Sequence, residues 1–131
     1  MLLLDSCTLL WWLTDDKALA PDVRRQIGDA SLPVFVSVVS LWEILVKHSL
    51  GKIGIASGRV TPYEFLESAI AAAGFAFLDL RSADVRHASA LPFIHADPFD
   101  RMLICQAIER GLTLVTPDRA IRRYPIKTLW D

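Results

Sequence analysis

Several features that define common protein classes are scarce in this sequence. Its 131 residues include only two cysteines and three histidines. These side chains have neither the spacing of a zinc site nor the number needed for a disulfide framework. Basic and acidic residues nearly balance, 14 against 15, and the formal net charge is −1. A global basic field for polyanions is therefore excluded, and a nucleic-acid partner would have to contact a local patch.

Long uncharged segments are also lacking. The longest covers residues 30–42, well short of the roughly 20 residues that cross a bilayer. The apolar run at residues 1–4 has no basic residue before it and ends at Asp5, unlike a secretory signal. We therefore expect a cytoplasmic protein without a membrane span, with one domain over residues 1–131.

Short apolar runs alternate with helical patterns along the chain. Apolar and β-branched residues predict strands at 1–4, 32–39, 75–80, 112–116 and 126–130. Helices are predicted after Asp5-Ser6, from Pro21, from a Ser40-x-x-Glu43 capping box and from Thr61-Pro62. Further along, Ser82 is predicted to cap a short helix through Ala90, Pro98 to begin a helix that runs to Gly111, and residues 119–123 to form one turn. Right-handed crossovers make such a chain an α/β fold, a three-layer sandwich with a mostly parallel central sheet.

Four acidic residues fall at the edge where such a sheet binds ligands. Asp5 and Asp118 follow predicted strands, and Glu43 and Asp100 lie near the starts of predicted helices. Each has an ordinary explanation as a loop, capping, dipole-favoured or turn residue. If the four converge, each pair about 4 Å apart would repel by roughly 4 kcal/mol at an effective dielectric of 20. Such a cluster requires a countercharge.

A divalent cation would supply that countercharge. Ligands that are all oxygen favour Mg²⁺ or Mn²⁺ over zinc. A cation of this kind activates water and stabilises a phosphoryl transition state, so the predicted reaction is phosphodiester hydrolysis. Asp97 as N-cap and Pro98 as first helical residue would hold Asp100 near the positive end of the helix dipole.

The ordered set of motifs resembles the PIN-domain ribonucleases, most closely the VapC-type toxins of bacterial toxin–antitoxin pairs. The motifs are Asp5-Ser6 after an apolar strand, Ser40-x-x-Glu43, His95-x-Asp97-Pro98-Phe99-Asp100-Arg101 and Thr116-x-Asp118. They cover essentially the full chain in the expected order. The resemblance implies a Mg²⁺- or Mn²⁺-dependent endoribonuclease, usually a homodimer, that is neutralised by a small antitoxin.

The resemblance also implies roles for individual residues. Asp5 and Asp100 match the principal metal ligands of the family, while Glu43 and Asp118 match acids that complete the pocket, partly through water. Supporting roles fall on Ser6, Asp97 and Thr116. Cys7 stands where relatives often carry His or Asn.

Basic residues near the acids are candidates for holding an RNA backbone, although a solvated basic face is the commoner case. The candidates are Lys47, Lys52, Arg101, Arg119, Arg122 and Arg123. The apolar segment 44–55, together with residues 9–13, is predicted to form part of an antitoxin groove. His48, His87 and His95 have no ligand spacing and are expected to be structural or surface residues.

Two other function classes fit parts of the sequence. An acidic α/β phosphatase could use Asp5 as nucleophile, but such enzymes usually carry a second acid two residues later, where this chain has Cys7. A PIN-like interaction module without catalysis is the other alternative. Such a module would not be stabilised by Mg²⁺ or Mn²⁺.

Overall fold

A central parallel sheet organises the structure, a computed structural model that describes residues 1–130. Its strands are β1 (Leu2–Leu4), β2 (Val34–Ser37), β3 (Ala76–Leu78), β4 (Thr113–Val115) and β5 (Thr128–Leu129). Their order is β3-β2-β1-β4-β5, and every pairing is parallel. The predicted α/β class is confirmed, and within residues 1–130 the sheet is parallel throughout.

Six α-helices connect these strands in the described chain. They are α1 (Ser6–Leu13), α2 (Pro21–Ile27), α3 (Val38–Ser49), α4 (Pro62–Ala72), α5 (Ser82–Val85) and α6 (Pro98–Arg110). A 3-10 turn, Ile121–Arg123, lies between β4 and β5. Gly111 ends α6 with φ of 63°, a left-handed conformation that favours glycine. Over residues 1–130 none of the helices combines the length and the apolar character needed to cross a membrane.

Alternating side chains of β1 build a separate core on each face of the sheet. Leu2 and Leu4 pack with apolar residues of α1, α2, α3 and α4. Leu3 points the other way and packs with Leu103 and Ile104 of α6. Because both faces are covered, the strand is an unbroken leucine run instead of an apolar–polar alternation. The predicted three layers are present.

The start of α3 differs from the predicted capping box. Ser37 is the N-cap, and its Oγ accepts a hydrogen bond from the Val39 N–H at 3.0 Å. Ser40 therefore lies inside the helix, where its buried Oγ has no hydrogen-bond partner among residues 1–130. Glu43 consequently belongs to the second turn of α3. The prediction was wrong because the strand passes into the helix without leaving the apolar interior.

Other element ends also differ from the sequence predictions. Each strand except β1 is shorter at both ends than its apolar run, and after β2 the run continues into α3, which begins at Val38. Ser82 is the first residue of α5, and Arg81 takes the N-cap position that was predicted for Ser82. The Arg81 N–H donates to Asp84 Oδ2 at 2.8 Å. This short helix ends at Val85, before the predicted end at residue 90.

Candidate active site

The carboxyl edge of the sheet opens into an acidic cavity of about 410 Å³. Asp5 follows β1 directly, and Asp118 lies in the loop after β4. Glu43 projects from α3, and Asp97 and Asp100 come from the start of α6; all five line the cavity. The structure thus brings the four predicted catalytic acids together with the acid that was predicted to support them.

Asp5 is a buried carboxylate that also begins α1. Its Oδ1 accepts a hydrogen bond from the Thr8 N–H at 2.8 Å, as expected of an N-cap. Burial raises the pKa of Asp5, and hydrogen bonds with Thr116 and Thr8 offset that rise only in part. The protein by itself therefore disfavours a negative charge at this position.

Glu43 is held at both of its carboxylate oxygens. Ser6 Oγ donates to Oε1 at 2.6 Å, and Lys47 Nζ donates to Oε2 at 2.6 Å. Lys47 lies one helical turn after Glu43 on the same face of α3, and the hydrogen bond raises the pKa of this lysine. Lys47 is the one lysine or arginine that lines the cavity within the described chain. Its charge offsets only one of several acids.

The N-terminus of α6 has the predicted geometry. Asp97 Oδ1 accepts hydrogen bonds from the backbone N–H groups of Phe99 at 2.8 Å and Asp100 at 3.1 Å. Burial raises the pKa of Asp100 to about 6, against the lowering effect of a hydrogen bond with His95. Repulsion from Asp97 and from the deeper acids adds to the rise. An ionised Asp100 is therefore poorly compensated.

His95, predicted to be a structural or surface residue, lies beside two of the acids. Its Nε2 lies 2.8 Å from Asp100 Oδ2 and 3.8 Å from Asp118 Oδ2. Ligand atoms of His95, Asp97 and Asp100 all lie within 4.8 Å of one another. Burial disfavours the charged imidazole, but the neighbouring carboxylates outweigh burial and raise the pKa of His95. The only sequence signal was its place two residues before the N-cap of α6.

Asp118 is oriented by the loop that carries it. Thr116 Oγ1 accepts a hydrogen bond from the Asp118 N–H at 3.1 Å. Asp118 Oδ1 in turn accepts from the N–H groups of Ala120 at 2.8 Å and Ile121 at 3.3 Å, at the start of the 3-10 turn. Asp118 is therefore fixed at one oxygen, and its other oxygen faces His95.

Cys7 also lines the cavity, without being available as a nucleophile. Burial, together with the charge of Asp5, raises the pKa of its thiol to about 12. The thiolate is the reactive form of cysteine, so this side chain stays an inert thiol near neutral pH. The chemistry of the cavity rests on its carboxylates.

The donor set fits a hard divalent cation. Among residues 1–130, five carboxylates and a single lysine line the cavity, and the His95 imidazole contacts one of these acids, so negative charge is in excess. Burial is the main cause that raises the pKa values of Asp5 and Asp100, and repulsion from neighbouring acids adds to it. Carboxylate oxygens are the ligands that Mg²⁺ and Mn²⁺ prefer. A cation held by Asp5 and Asp100 would supply a partner for both buried charges and would offset the repulsion between the acids.

The chain is similar to known proteins over nearly its whole length. A PIN domain family model matches residues 2–127. The structure of DNA-bound VapBC from Salmonella typhimurium has a TM-score of 0.68 at 19% identity, with 98% of this chain and 96% of that chain covered. VapBC2 from Rickettsia felis, bound to a DNA fragment from its promoter, has a TM-score of 0.68 at 14% identity, with 99% and 98% covered. At these identities the similarity establishes a shared fold. The search of curated proteins found no match.

Proposed function

Because the chain belongs to the PIN domain family, we propose that it is a metal-dependent endoribonuclease that hydrolyses RNA phosphodiester bonds in the acidic cavity. The observation that carries the proposal is the convergence of four carboxylates, two with raised pKa values, at the carboxyl edge of a parallel sheet. Asp5, Glu43, Asp100 and Asp118 form the proposed catalytic set.

We assign Asp5 and Asp100 as the principal ligands of Mg²⁺ or Mn²⁺. Burial raises the pKa of both acids, so the protein by itself disfavours their ionised forms. Glu43 and Asp118 complete the site, partly through water. When bound, the cation supplies an activated water molecule and stabilises the charge that develops on the phosphoryl group.

Neighbouring groups hold these acids in place. Ser6 fixes one oxygen of Glu43, so that the carboxylate cannot rotate freely in the cavity. Thr116 accepts the Asp118 N–H and thereby sets the loop that presents the Asp118 carboxylate. Asp97 caps α6 and so directs the first helical turn, with Asp100, toward the cavity. These three residues have supporting roles in the proposal.

We further propose that the protein is the toxin of a toxin–antitoxin pair and acts in the cytoplasm. Support comes from the similarity to chains of two VapBC complexes. One wall of the cavity is apolar, formed by Leu10, Trp11, Ile44 and Ile53. These residues belong to segments 9–13 and 44–55, where we place antitoxin binding. Trp42 is 62% exposed, and we assign it to a homodimer contact.

A cleavage assay with matched metal conditions tests the proposal. Purified protein is incubated with a structured RNA in Mn²⁺, in Mg²⁺ and in EDTA, and Asp5→Asn is assayed in parallel. We expect cleavage only with added metal, and a rate at least about 100-fold lower for Asp5→Asn. Absence of cleavage combined with no metal-induced rise in melting temperature would instead favour an interaction module. An acidic phosphatase would release phosphate from monoesters and leave the RNA chain intact.

A further inference from the structure

The structure separates the basic residues near the acidic cavity by what their side chains contact. Lys47 donates to Glu43 at 2.6 Å. Arg101 donates to the carbonyl oxygens of Pro92 at 3.1 Å and Ala88 at 3.2 Å, and to Tyr124 Oη at 3.0 Å. The donors of both side chains are therefore used inside the protein. Lys47 holds an acid, and Arg101 holds the loop that leads to His95.

Arg119, Arg122 and Arg123 are different, and we refer to them as the arginine turn. All three are exposed, and together with Thr128 they line one shallow pocket. Within residues 1–130 none of the three forms an ion pair, whereas Arg24, Arg25, Arg86 and Arg110 each pair with a carboxylate. Residues 119–130 contain four basic side chains and no acidic one. The arginine turn is a local basic patch on a chain of net charge −1.

One carboxylate connects this patch to the acidic cavity. Asp118 lines the cavity, and its Oδ1 accepts the N–H groups of Ala120 and Ile121, which begin the 3-10 turn. Arg119 is the next residue in the chain, and Arg122 donates its backbone N–H to the Asp118 carbonyl at 3.2 Å. The arginine turn is therefore fixed through its backbone to a residue that lines the cavity.

An acidic cavity presents a problem to any polyanionic substrate. Carboxylates repel the phosphates on both sides of the bond to be cut, and one bound cation offsets only part of that charge. Phosphate contacts from Arg supply sequence-independent affinity that the cavity itself lacks. We propose that the arginine turn binds backbone phosphates of the RNA strand that leaves the cavity past Asp118. This inference rests on the proposed ribonuclease function and adds the surface that holds the substrate.

The test measures RNA binding in the absence of cleavage. A fluorescein-labelled single-stranded 12-nucleotide RNA is titrated with protein in EDTA, and anisotropy gives the affinity at several KCl concentrations. For Arg119→Gln/Arg122→Gln/Arg123→Gln we expect about tenfold or greater loss of affinity at low salt. The slope of log affinity against log salt should fall by about 2, since each single-strand phosphate contact contributes about 0.7.

Two matched variants control for net charge and for folding. Lys17→Gln/Arg25→Gln/Arg59→Gln removes the same charge from exposed positions that line neither the cavity nor the arginine turn, and it should bind within about twofold of wild type. Replacing the arginine turn with three lysines should retain most of the affinity, because a phosphate contact needs the charge more than the guanidinium fork. Melting curves verify that each variant is folded.

The outcomes distinguish this inference from the function on which it rests. If the arginine-turn glutamine variant and the control glutamine variant bind RNA with equal affinity, the proposed phosphate contacts are wrong. The proposed ribonuclease function still stands in that case if wild type cleaves RNA in Mn²⁺. A wild type that neither binds nor cleaves RNA overturns both. The same titration is made with a labelled polyglutamate peptide. If the arginine-turn glutamine variant loses affinity for this peptide and keeps its affinity for RNA, the proposal is overturned in favour of an acidic protein partner. Selective loss of RNA affinity in the arginine-turn variant supports it.

Discussion

The two ends of α6 lie beside carboxylates that are held under opposite conditions. Near the C-terminal end, Asp84 is 0% exposed, and Arg110 donates to its Oδ1 at 3.3 Å and its Oδ2 at 2.9 Å. Burial works against the charge, yet these bonds outweigh it and lower the pKa of Asp84. At the N-terminal end, the Asp100 carboxylate contacts only His95 among the side chains of residues 1–130, and burial raises its pKa to about 6.

The difference shows what each carboxylate does for the protein. Asp84 and Arg110 join α5 to α6, and each satisfies the other inside the fold. Asp100 adds repulsion to a cluster that already contains Asp5 and Glu43. A residue that weakens the metal-free fold is expected where the fold serves a ligand.

Asp100→Asn should separate activity from stability most clearly. Asn keeps the shape of the side chain and removes one negative charge, so RNA cleavage in Mn²⁺ should fall by at least about 100-fold. Metal-free melting temperature should stay equal or rise, because repulsion within the cluster falls. Asp97→Asn is the control, since Asn also caps a helix, and it should have a milder effect. If the Asp100→Asn protein is destabilised and cleaves RNA normally, Asp100 only stabilises the start of α6 and does not bind metal.

Asp84→Asn should show the reverse pattern. Removing this charge leaves the Arg110 side chain, 17% exposed, without its ionic partner. Breaking a buried pair in this way should lower the free energy of unfolding by about 3 kcal/mol. Urea denaturation measures the loss, and the cleavage rate of the remaining folded protein should match wild type. An unchanged urea midpoint would contradict the role assigned to the pair.

Manganese should stabilise the protein through Asp100 at the N-terminal end of α6 and not through Asp84 near its C-terminal end. At 100 times its dissociation constant, a single bound cation adds about 2.7 kcal/mol to the free energy of unfolding. Melting temperature should therefore rise with the logarithm of Mn²⁺ concentration in wild type and in Asp84→Asn. Asp100→Asn should respond far less. A flat response of wild type up to millimolar Mn²⁺ would count against the metal site.

Asp100 and Asp84 should contribute to folding stability with opposite pH dependence. The pKa of Asp100 is raised in the folded state, so its contribution to stability is present at low pH and is lost as pH rises through about 6. The pKa of Asp84 is lowered, so its contribution is present above the usual value of 3.8 and is lost as pH falls below it. Urea midpoints in EDTA from pH 3 to 7 measure both.

The difference in urea midpoint between wild type and each variant isolates the contribution of the substituted carboxylate. Asp100→Asn should differ from wild type most in its pH dependence between about 4 and 6. A residual slope from Asp5, whose pKa is also raised, should remain in that variant. Asp84→Asn should differ most below pH 4. Parallel pH profiles of wild type and both variants would show that neither carboxylate is linked to folding in this way.

Local sequence was enough to predict the parts of the fold that local physics determines. The leucine run of β1, Pro21 and Pro62 at helix starts, and the Asp97 N-cap all carry their signal within a few residues. The convergence of the four acids followed from placing strand ends at one edge of a parallel sheet. Gly111 correctly marked the end of α6.

Features that depend on contacts between residues far apart in the sequence could not be predicted from local sequence. Ser37 caps α3 and also donates to Gln106 Oε1 at 2.6 Å, a partner 69 positions away in sequence, so its role was hidden in an apolar run. His95 reaches Asp100 from a loop that Arg101 holds by donating to the carbonyl oxygens of Pro92 and Ala88. Nothing in the sequence near Arg101 distinguishes a loop anchor from a phosphate contact.

The central position of β1 has a consequence for how the protein is made. Leu2 pairs with Val34 on one side and with Thr113 on the other, so the strand synthesised first acquires its second neighbour only when β4 exists. Asp118 and the arginine turn follow still later in the chain. A nascent polypeptide that has reached α4 holds Asp5 and Glu43 without Asp100 and Asp118. For the proposed ribonuclease, we expect that a growing chain cannot assemble the full set of acids beside the message being translated until Asp118 has been added.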